Sequence, residues 1–274
     1  MASLSSTELK KLSQEERVTA LGMRTEQLTG RSMFIEFDED AEERFTYPWA
    51  PDVDYNKRTE IDTGDMTETE VNSEIRSLME QGYGTIVIKD PRGKHSLGVG
   101  ILNRLNLIFE GSLGYFGVGL IDGTNVRING RVGWSCGENM MSGTIHVKGN
   151  TSQSAGATAH GGNIIIDGDA SSRCGISMKG VNIIVKGSVG HMSAFMAQAG
   201  TLMICGDAGE ALGDSIYETV IYLAGKPKSL GVDCIEKKVT KNDLKMQPNE
   251  PKLKTYGLGG AQEGPEHPSE YWLA

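Results

Sequence analysis

Four cysteines and five histidines are the residues of this 274-residue chain that could ligate a metal or serve as nucleophile and base. Cys136, Cys174, Cys205 and Cys234 contain no C-x-x-C pair, so they match neither a zinc pattern nor a redox motif. Cys136 and Cys174 hold equivalent positions two turns apart in the repeat described below. At strand spacing that separates them by roughly 9–10 Å, too far for a disulfide. They read as small core residues. His95, His146, His160, His191 and His267 are scattered. His146 and His160 share one repeat but occupy different positions in it, with no third ligand evidently placed beside them. The spacings G-x-x-x-x-G-K-[ST] and H-E-x-x-H are absent, as is a strand followed by G-x-G-x-x-G opening a helix. Asn150-Thr151-Ser152 matches a glycosylation acceptor without an accompanying secretory signal. The sequence therefore assigns no catalytic residue, no cofactor-binding residue and no metal ligand, and it reads as a scaffold.

Glycine placement says what kind of scaffold. There are 36 glycines, about twice ordinary usage, and no proline lies between Gly93 and Lys226. Gly111, Gly130, Gly149, Gly168, Gly187, Gly206 and Gly225 recur at an interval of 19 residues. Each follows an alternating apolar pair: Leu107/Phe109, Val126/Ile128, Ile145/Val147, Ile164/Ile166, Ile183/Val185, Leu202/Ile204 and Ile221/Leu223. Alternation of period 2 marks strands with one buried face, and glycine after each strand is expected at a corner of positive φ. Small residues recur six positions after the glycine (Gly117, Cys136, Ala155, Cys174, Ser193, though Leu212 in the last coil), and apolar ones ten after it (Ile121, Met140, Ala159, Met178, Ala197, Ile216). One such coil cannot bury its apolar face alone, but stacked coils make a continuous core. The expected fold is all-β: a right-handed parallel β-helix of about seven 19-residue coils. At about 4.8 Å per rung the column would be about 30–35 Å long. A hexapeptide left-handed β-helix, of period 18, and an antiparallel sandwich fit the fixed interval less well.

The flanks differ. Residues 1–60 are rich in charge, with Glu36, Asp38, Glu39, Asp40, Glu42 and Glu43 close together, and read as an N-terminal arm. Residues 61–92 read as a helix–strand cap. Thr67 with Glu70 forms a capping-box pattern, Val71, Ile75, Leu78 and Met79 share one helical face over 66–81, Gly82 ends it, and Thr85–Lys89 follows as a strand. Residues 93–238 hold the β-helix, with 229–238 a possible extra edge, and 239–274 a second arm. The arms carry apolar anchors, among them Met33, Phe34, Ile35, Tyr47 and Trp49 in one and Tyr271, Trp272 and Leu273 in the other, which suit docking onto another chain. The net charge of −9 argues against a nucleic-acid or anionic-membrane surface. The apolar runs are too short to span a bilayer, and a cytoplasmic location is expected.

Two coils carry the full spacing G-x-x-G-x-x-x-G: Gly130-Arg-Val-Gly133-Trp-Ser-Cys-Gly137 and Gly206-Asp-Ala-Gly209-Glu-Ala-Leu-Gly213. With the stretch Gly111–Gly149 they resemble the GXGXG repeat of the C-terminal domain of the glutamate synthase large subunit, over about residues 85–238. Ser152, Ser171, Val181 and Ala194 stand where that repeat has glycine. The family's amidotransferase domain and FMN-binding synthase domain have no counterpart here. The chain therefore resembles the split relatives, among them the middle subunit of methylamine–glutamate N-methyltransferase (N-methylglutamate synthase). The segments Gly187–Gly200 and Ser229–Cys234 carry that likeness. The resemblance implies a non-catalytic subunit of a multisubunit glutamate synthase-like flavoenzyme converting methylamine and glutamate to N-methylglutamate and ammonia. It implies an amidotransferase-like partner and an FMN-binding partner, with FMN and iron–sulfur clusters held there and no cofactor in this chain. The same repeat is also similar to the β-helical subunit of formylmethanofuran dehydrogenase and its counterpart in a formyltransferase/hydrolase complex, the alternative reading.

Overall fold

The computed structural model describes residues 50–238 and 254–258, all within one compact unit, Trp49–Ala274. The seven apolar pairs become seven parallel strands: β3 (Asn106–Glu110), β4 (Thr124–Ile128), β5 (Gly143–Val147), β6 (Asn163–Ile166), β7 (Lys179–Val185), β8 (Ala199–Ile204) and β9 (Val220–Leu223). Each pairs with the next in register. Leu107 lies beside Val126, then Ile145, Ile164, Ile183, Leu202 and Ile221, each one rung on. All fourteen residues of the pairs are buried. Two strands precede them, β1 (Asp54–Asp62) and β2 (Tyr83–Lys89), and two follow, β10 (Cys234–Lys237) and β11 (Lys254–Leu258). The sheet order is β1-β2-β3-β4-β5-β6-β7-β8-β9-β11-β10. A second column of single parallel bridges, Leu113–Val132–Thr151–Ala170–Val189–Ala208–Pro227, joins the same coils on another side. The structure is thus a β-solenoid of about seven turns.

The corner glycines are required for a different reason than the sequence suggests. Among the seven only Gly111 has positive φ, at 148°. The rest are needed because the coils touch there. A Cβ on Gly130 would sit 2.5 Å from the carbonyl carbon of Gly111, and one on Gly149 would sit 2.7 Å from the oxygen of Gly130. On Gly225 it would lie 2.4 Å from the oxygen of Gly206. Left-handed φ falls instead seven residues later, at Gly137, Gly156, Gly175 and Gly213 (68–69°) and at Ala194 (57°). It also falls at non-glycine residues five and nine after the corner, such as Phe116, Ser135 and Ser154, or Leu120, Asn139 and Thr158. The coil turns through alternate left-handed residues, a costly backbone that inter-coil hydrogen bonds hold in place. Gly137 N–H, for example, donates to Gly117 O, and Gly156 N–H to Cys136 O.

Outward columns stack residue on like residue. One residue past the corner, a side-chain acceptor takes the backbone N–H of the next coil. Ser112 Oγ accepts from Arg131, Asn150 Oδ1 from Asp169, Asp169 Oδ1 from Ser188, Ser188 Oγ from Asp207 and Asp207 Oδ1 from Lys226, at 2.8–3.1 Å. These N–H groups point along the column, where a missing acceptor would leave a polar group unpaired.

The ends are covered. Helix α1 (Glu68–Glu80) is capped by Thr67, whose N–H donates to Glu70 Oε2 at 2.7 Å while Glu70 N–H donates to Thr67 Oγ1 at 3.3 Å. The helix lies inside the 66–81 expectation. Its Val71, Ile75 and Leu78 join the core. Asn72 ties it to the first turn, donating to Ser96 O at 2.8 Å and accepting from Gly98 N–H at 2.8 Å. β2 contains the expected Thr85–Lys89. β1, not anticipated in the polar arm, buries only Ile61 well, so its sequence shows no alternation. At the far end β11 pairs antiparallel with β9 and with β10, so the expected extra edge at 229–238 reaches the sheet through a strand drawn from the 239–274 segment. The expected anchors at residues 33–49 and 271–273 lie outside the described residues.

Ile166→Asp would bury an unpaired charge between Val147 and Val185. It is expected to cost about 3–5 kcal/mol in urea unfolding, and a loss below about 1 kcal/mol would contradict the buried ladder. Gly130→Ala meets only backbone atoms and is expected to cost near the top of about 1–3 kcal/mol. Gly64→Ala, at φ 42° with open space around it, should cost about 1 kcal/mol through strain alone. Equal losses would show that inter-coil contact is not what the corner glycines serve.

Candidate functional site

The outer face of the sheet carries a polar column, a groove and a cluster of titratable side chains. Residues one position from the buried pairs point outward here. Thr85, Asn106, Asn125, Thr144, Asn163, Asn182 and Thr201 form one column across β2–β8. Asn106 Nδ2 donates to Thr85 Oγ1, Asn125 Nδ2 to Asn106 Oδ1 and Asn182 Nδ2 to Asn163 Oδ1, at 3.3–3.4 Å. The first four of them, with Ile108 and Arg127, line an open groove of about 350 Å³. Arg127 Nε donates to Asn129 Oδ1 at 3.1 Å, which holds the guanidinium along the sheet.

One rung on from Arg127 stands His146. Its Nε2 lies 3.0 Å from Asp167 Oδ1, and Asp167 also accepts from Lys148 at 3.0 Å and Lys186 at 2.7 Å. Lys148, Asp167 and Lys186 occupy one outward position at the ends of β5, β6 and β7, so the charges alternate rung by rung. Partial burial raises the Asp167 carboxyl, but the bonds from Lys186, His146 and Lys148 outweigh it and hold the group well below the usual carboxylate range. A carboxylate so committed to two ammonium groups is a poor general base. The arrangement can hydrogen-bond and hold charge, and it joins coils more plainly than it does chemistry.

The remaining sequence candidates do not converge. Cys136 and Cys174 are fully buried, and burial pushes both thiols up to about 12. Burial also raises Cys234, to about 11. Buried neutral thiols in separate coils do not form the donor set of an iron–sulfur cluster. Among the described residues there is no group of three or more His, Cys, Asp and Glu placed to hold a metal. His160 is lowered by burial and then by nearby Lys179, and it does not join His146. His95 stacks on Tyr115, and His191 is exposed. His267 lies outside the described residues. The Asp167–His146 pair was not expected from the sequence, yet its signal was there: the separation of 21 residues is one coil plus two, the same face of the next strand. No helix of the described residues is long and apolar enough to cross a membrane.

Asp167 has a depressed pKa in the folded state, so its contribution to stability is complete above the unfolded carboxylate value of about 4. It is lost as pH falls from there through the lower folded value. Urea midpoints measured from pH 7 to pH 2.5 should fall for the native chain and fall less steeply for Asp167→Asn. Identical pH slopes would remove the Lys148–Asp167–Lys186 ladder from the stability account.

The comparisons with known proteins come to the same repeat. The model of the GXGXG motif family matches residues 66–257, from the helical cap to β11. Protein GlxC of Rhizobium meliloti (strain 1021) is 46% identical over 56 residues, 20% of this chain. The matching stretch spans a quarter of the length of that curated relative.

Proposed function

The chain belongs to the GXGXG motif family, and from that premise we propose that it is the β-helix subunit of a multisubunit glutamate synthase-like flavoenzyme, an N-methylglutamate synthase. The observation that supports this best is the family match across cap and column together, on a chain whose described residues form a scaffold of stacked coils. In this reading an amidotransferase-like chain and an FMN-binding synthase-like chain are separate polypeptides. FMN and iron–sulfur clusters reside in those partners, and the assembly works in the cytoplasm. The column sets the distance and orientation between the partners, because in-register stacking makes it stiff along its axis. The chemistry, transfer of the methylamine nitrogen into N-methylglutamate with release of ammonia, belongs to the partners. Among the described residues the one His–Asp pair noted above, His146–Asp167, is tied up by Lys148 and Lys186.

Co-expression with FMN-type and amidotransferase-like synthase subunits from the same organism should yield a stoichiometric complex that converts methylamine and glutamate to N-methylglutamate. Omitting this chain should abolish assembly or lower turnover at least about tenfold. Recovery of a formyltransferase or metal-dependent hydrolase as stoichiometric partner, or full activity without this chain, would refute the proposal.

A further inference from the structure

The repeat supplies its own control for what the fold needs at each position, and one patch stands out against it. Tyr115 and Trp134 occupy the fourth position after the corner in the first two coils, where later coils have Gln153, Ser172, His191 and Glu210. Phe116 holds the fifth position, where the others have Ser135, Ser154, Arg173, Met192 and Ala211. Leu120 holds the ninth, against Asn139, Thr158, Ser177, Met196 and Ser215. These positions accept small and polar side chains as well as Met192 and Met196, and stacking of coils does not demand aromatic rings there. They are nonetheless exposed: Tyr115 41%, Phe116 49%, Leu120 55% and Trp134 47%. Phe116 and Leu120 sit at the left-handed φ, 57° and 56°, that their whole columns share.

The rings are organised. His95 stacks on Tyr115 with centroids 4.6 Å apart and planes 7° apart, and Tyr115 stacks on Trp134 at 4.9 Å and 20°. The stack hides ring faces and leaves ring edges outward. His95 Nδ1 accepts from Tyr115 N–H at 2.9 Å, which places the proton of the neutral ring on Nε2. The ring edges carry hydrogen-bond donors, His95 Nε2–H, the Tyr115 hydroxyl and Trp134 Nε1–H, on three exposed residues. The Lys94 carbonyl accepts from Gly114 N–H at 2.8 Å and the Arg131 carbonyl from Leu113 N–H at 2.9 Å, so two cationic residues stand on the same coils beside the stack. Glu138, whose carbonyl accepts from Leu120 N–H, stands at the other side. In a chain of net charge −9, this local surplus of donors and cations beside exposed apolar carbon suits an occupant with carboxylates next to an apolar side chain. Shared donors, cations and rigid aromatics are the composition of interface anchors.

We propose that the His95–Tyr115–Trp134 stack, with Phe116 and Leu120, is the face on which a different protein chain docks a carboxylate-bearing, apolar segment. The proposal rests on the subunit reading above and locates the contact on the first two coils. The apolar side chains of the partner fill the space around Phe116 and Leu120, and its carboxylates meet the ring-edge donors, Lys94 and Arg131.

The test is hydroxyl-radical footprinting of the full chain, first alone and then in the assembly recovered from its native cells through an affinity tag. Tyr115, Phe116 and Trp134 should label about tenfold less in the assembly, while Tyr217 and Met196 label equally in both. A second arm uses Trp134→Gln with Phe116→Ser, residues that the same columns already hold. This double variant should unfold at the same temperature or higher, and should bind the co-expressed synthase-like subunit at least about 30-fold more weakly, as loss of an interface anchor does. Binding of the unmodified chain to that subunit should weaken as salt rises. Protection of the patch by a partner that is not synthase-like upholds the docking face and overturns the glutamate synthase reading. Assembly with the synthase-like subunit while the patch labels fully overturns the docking face alone. Recovery of the chain alone or only as a homodimer, with or without protection, also overturns it, as does a double variant that assembles with unchanged affinity.

Discussion

The structure depends on one constraint: each coil must lie on the one before it at strand spacing, with no side chain between their corners. Where Gly130 passes over Gly111, and Gly149 over Gly130, the backbones approach to distances that admit no Cβ. Once that contact is fixed, positions meet their own counterparts 19 residues on, with a one-residue shift at Lys179–Ala199 and at Leu212–Leu230. Leucine, isoleucine and valine meet across the inner ladder, amide meets amide on the outer face, and lysine meets aspartate beyond the strand end. The hydrogen bonds follow the same rule, since the acceptor beside each of these corners serves the backbone of the next coil.

That rule explains what could be read from the sequence. A contact repeated coil after coil leaves a periodic mark, so the seven strands, their inward residues and the small and apolar columns at six and ten past the corner were all legible. The helical cap was legible for a local reason, because Thr67 and Glu70 satisfy each other within four residues. The conformation of the corner glycines was not, because a glycine forced by close approach and one forced by positive φ look identical in sequence. β1 and β11 were not legible either. Each pairs at an end of the stack, where the period that marks the other strands is not imposed. His146–Asp167 lay between these cases, concealed by sequence distance although the period brings the two together.

Function leaves a different mark on the same repeat. A residue that recurs in a column answers to stacking, and one that departs from its column answers to something else. By this standard the Asn/Thr column and the charge ladder are parts of the scaffold, and the buried cysteines are packing atoms. Tyr115 and Trp134 depart from their column and, with Phe116 and Leu120 beside them, stay exposed. A chain with the GXGXG family's column and a built surface of this kind is suited to holding other proteins, which accords with a subunit role in a glutamate synthase-like assembly.

The account stands on stacking in register, and removal of one coil measures it most directly. Deleting residues 188–206 removes one 19-residue period and joins Gly187 to Asp207, so every column closes on its own kind. Deleting residues 188–204 removes nearly the same material but leaves Cys205 and Gly206 as a two-residue excess, so every column is shifted by two positions across the junction. Thermal unfolding followed by circular dichroism should show a cooperative transition for the first, with strand content reduced by about one rung, and a markedly lower transition for the second. Two deletions that unfold alike, whether at the same temperature or with the transition lost in both, would contradict the account.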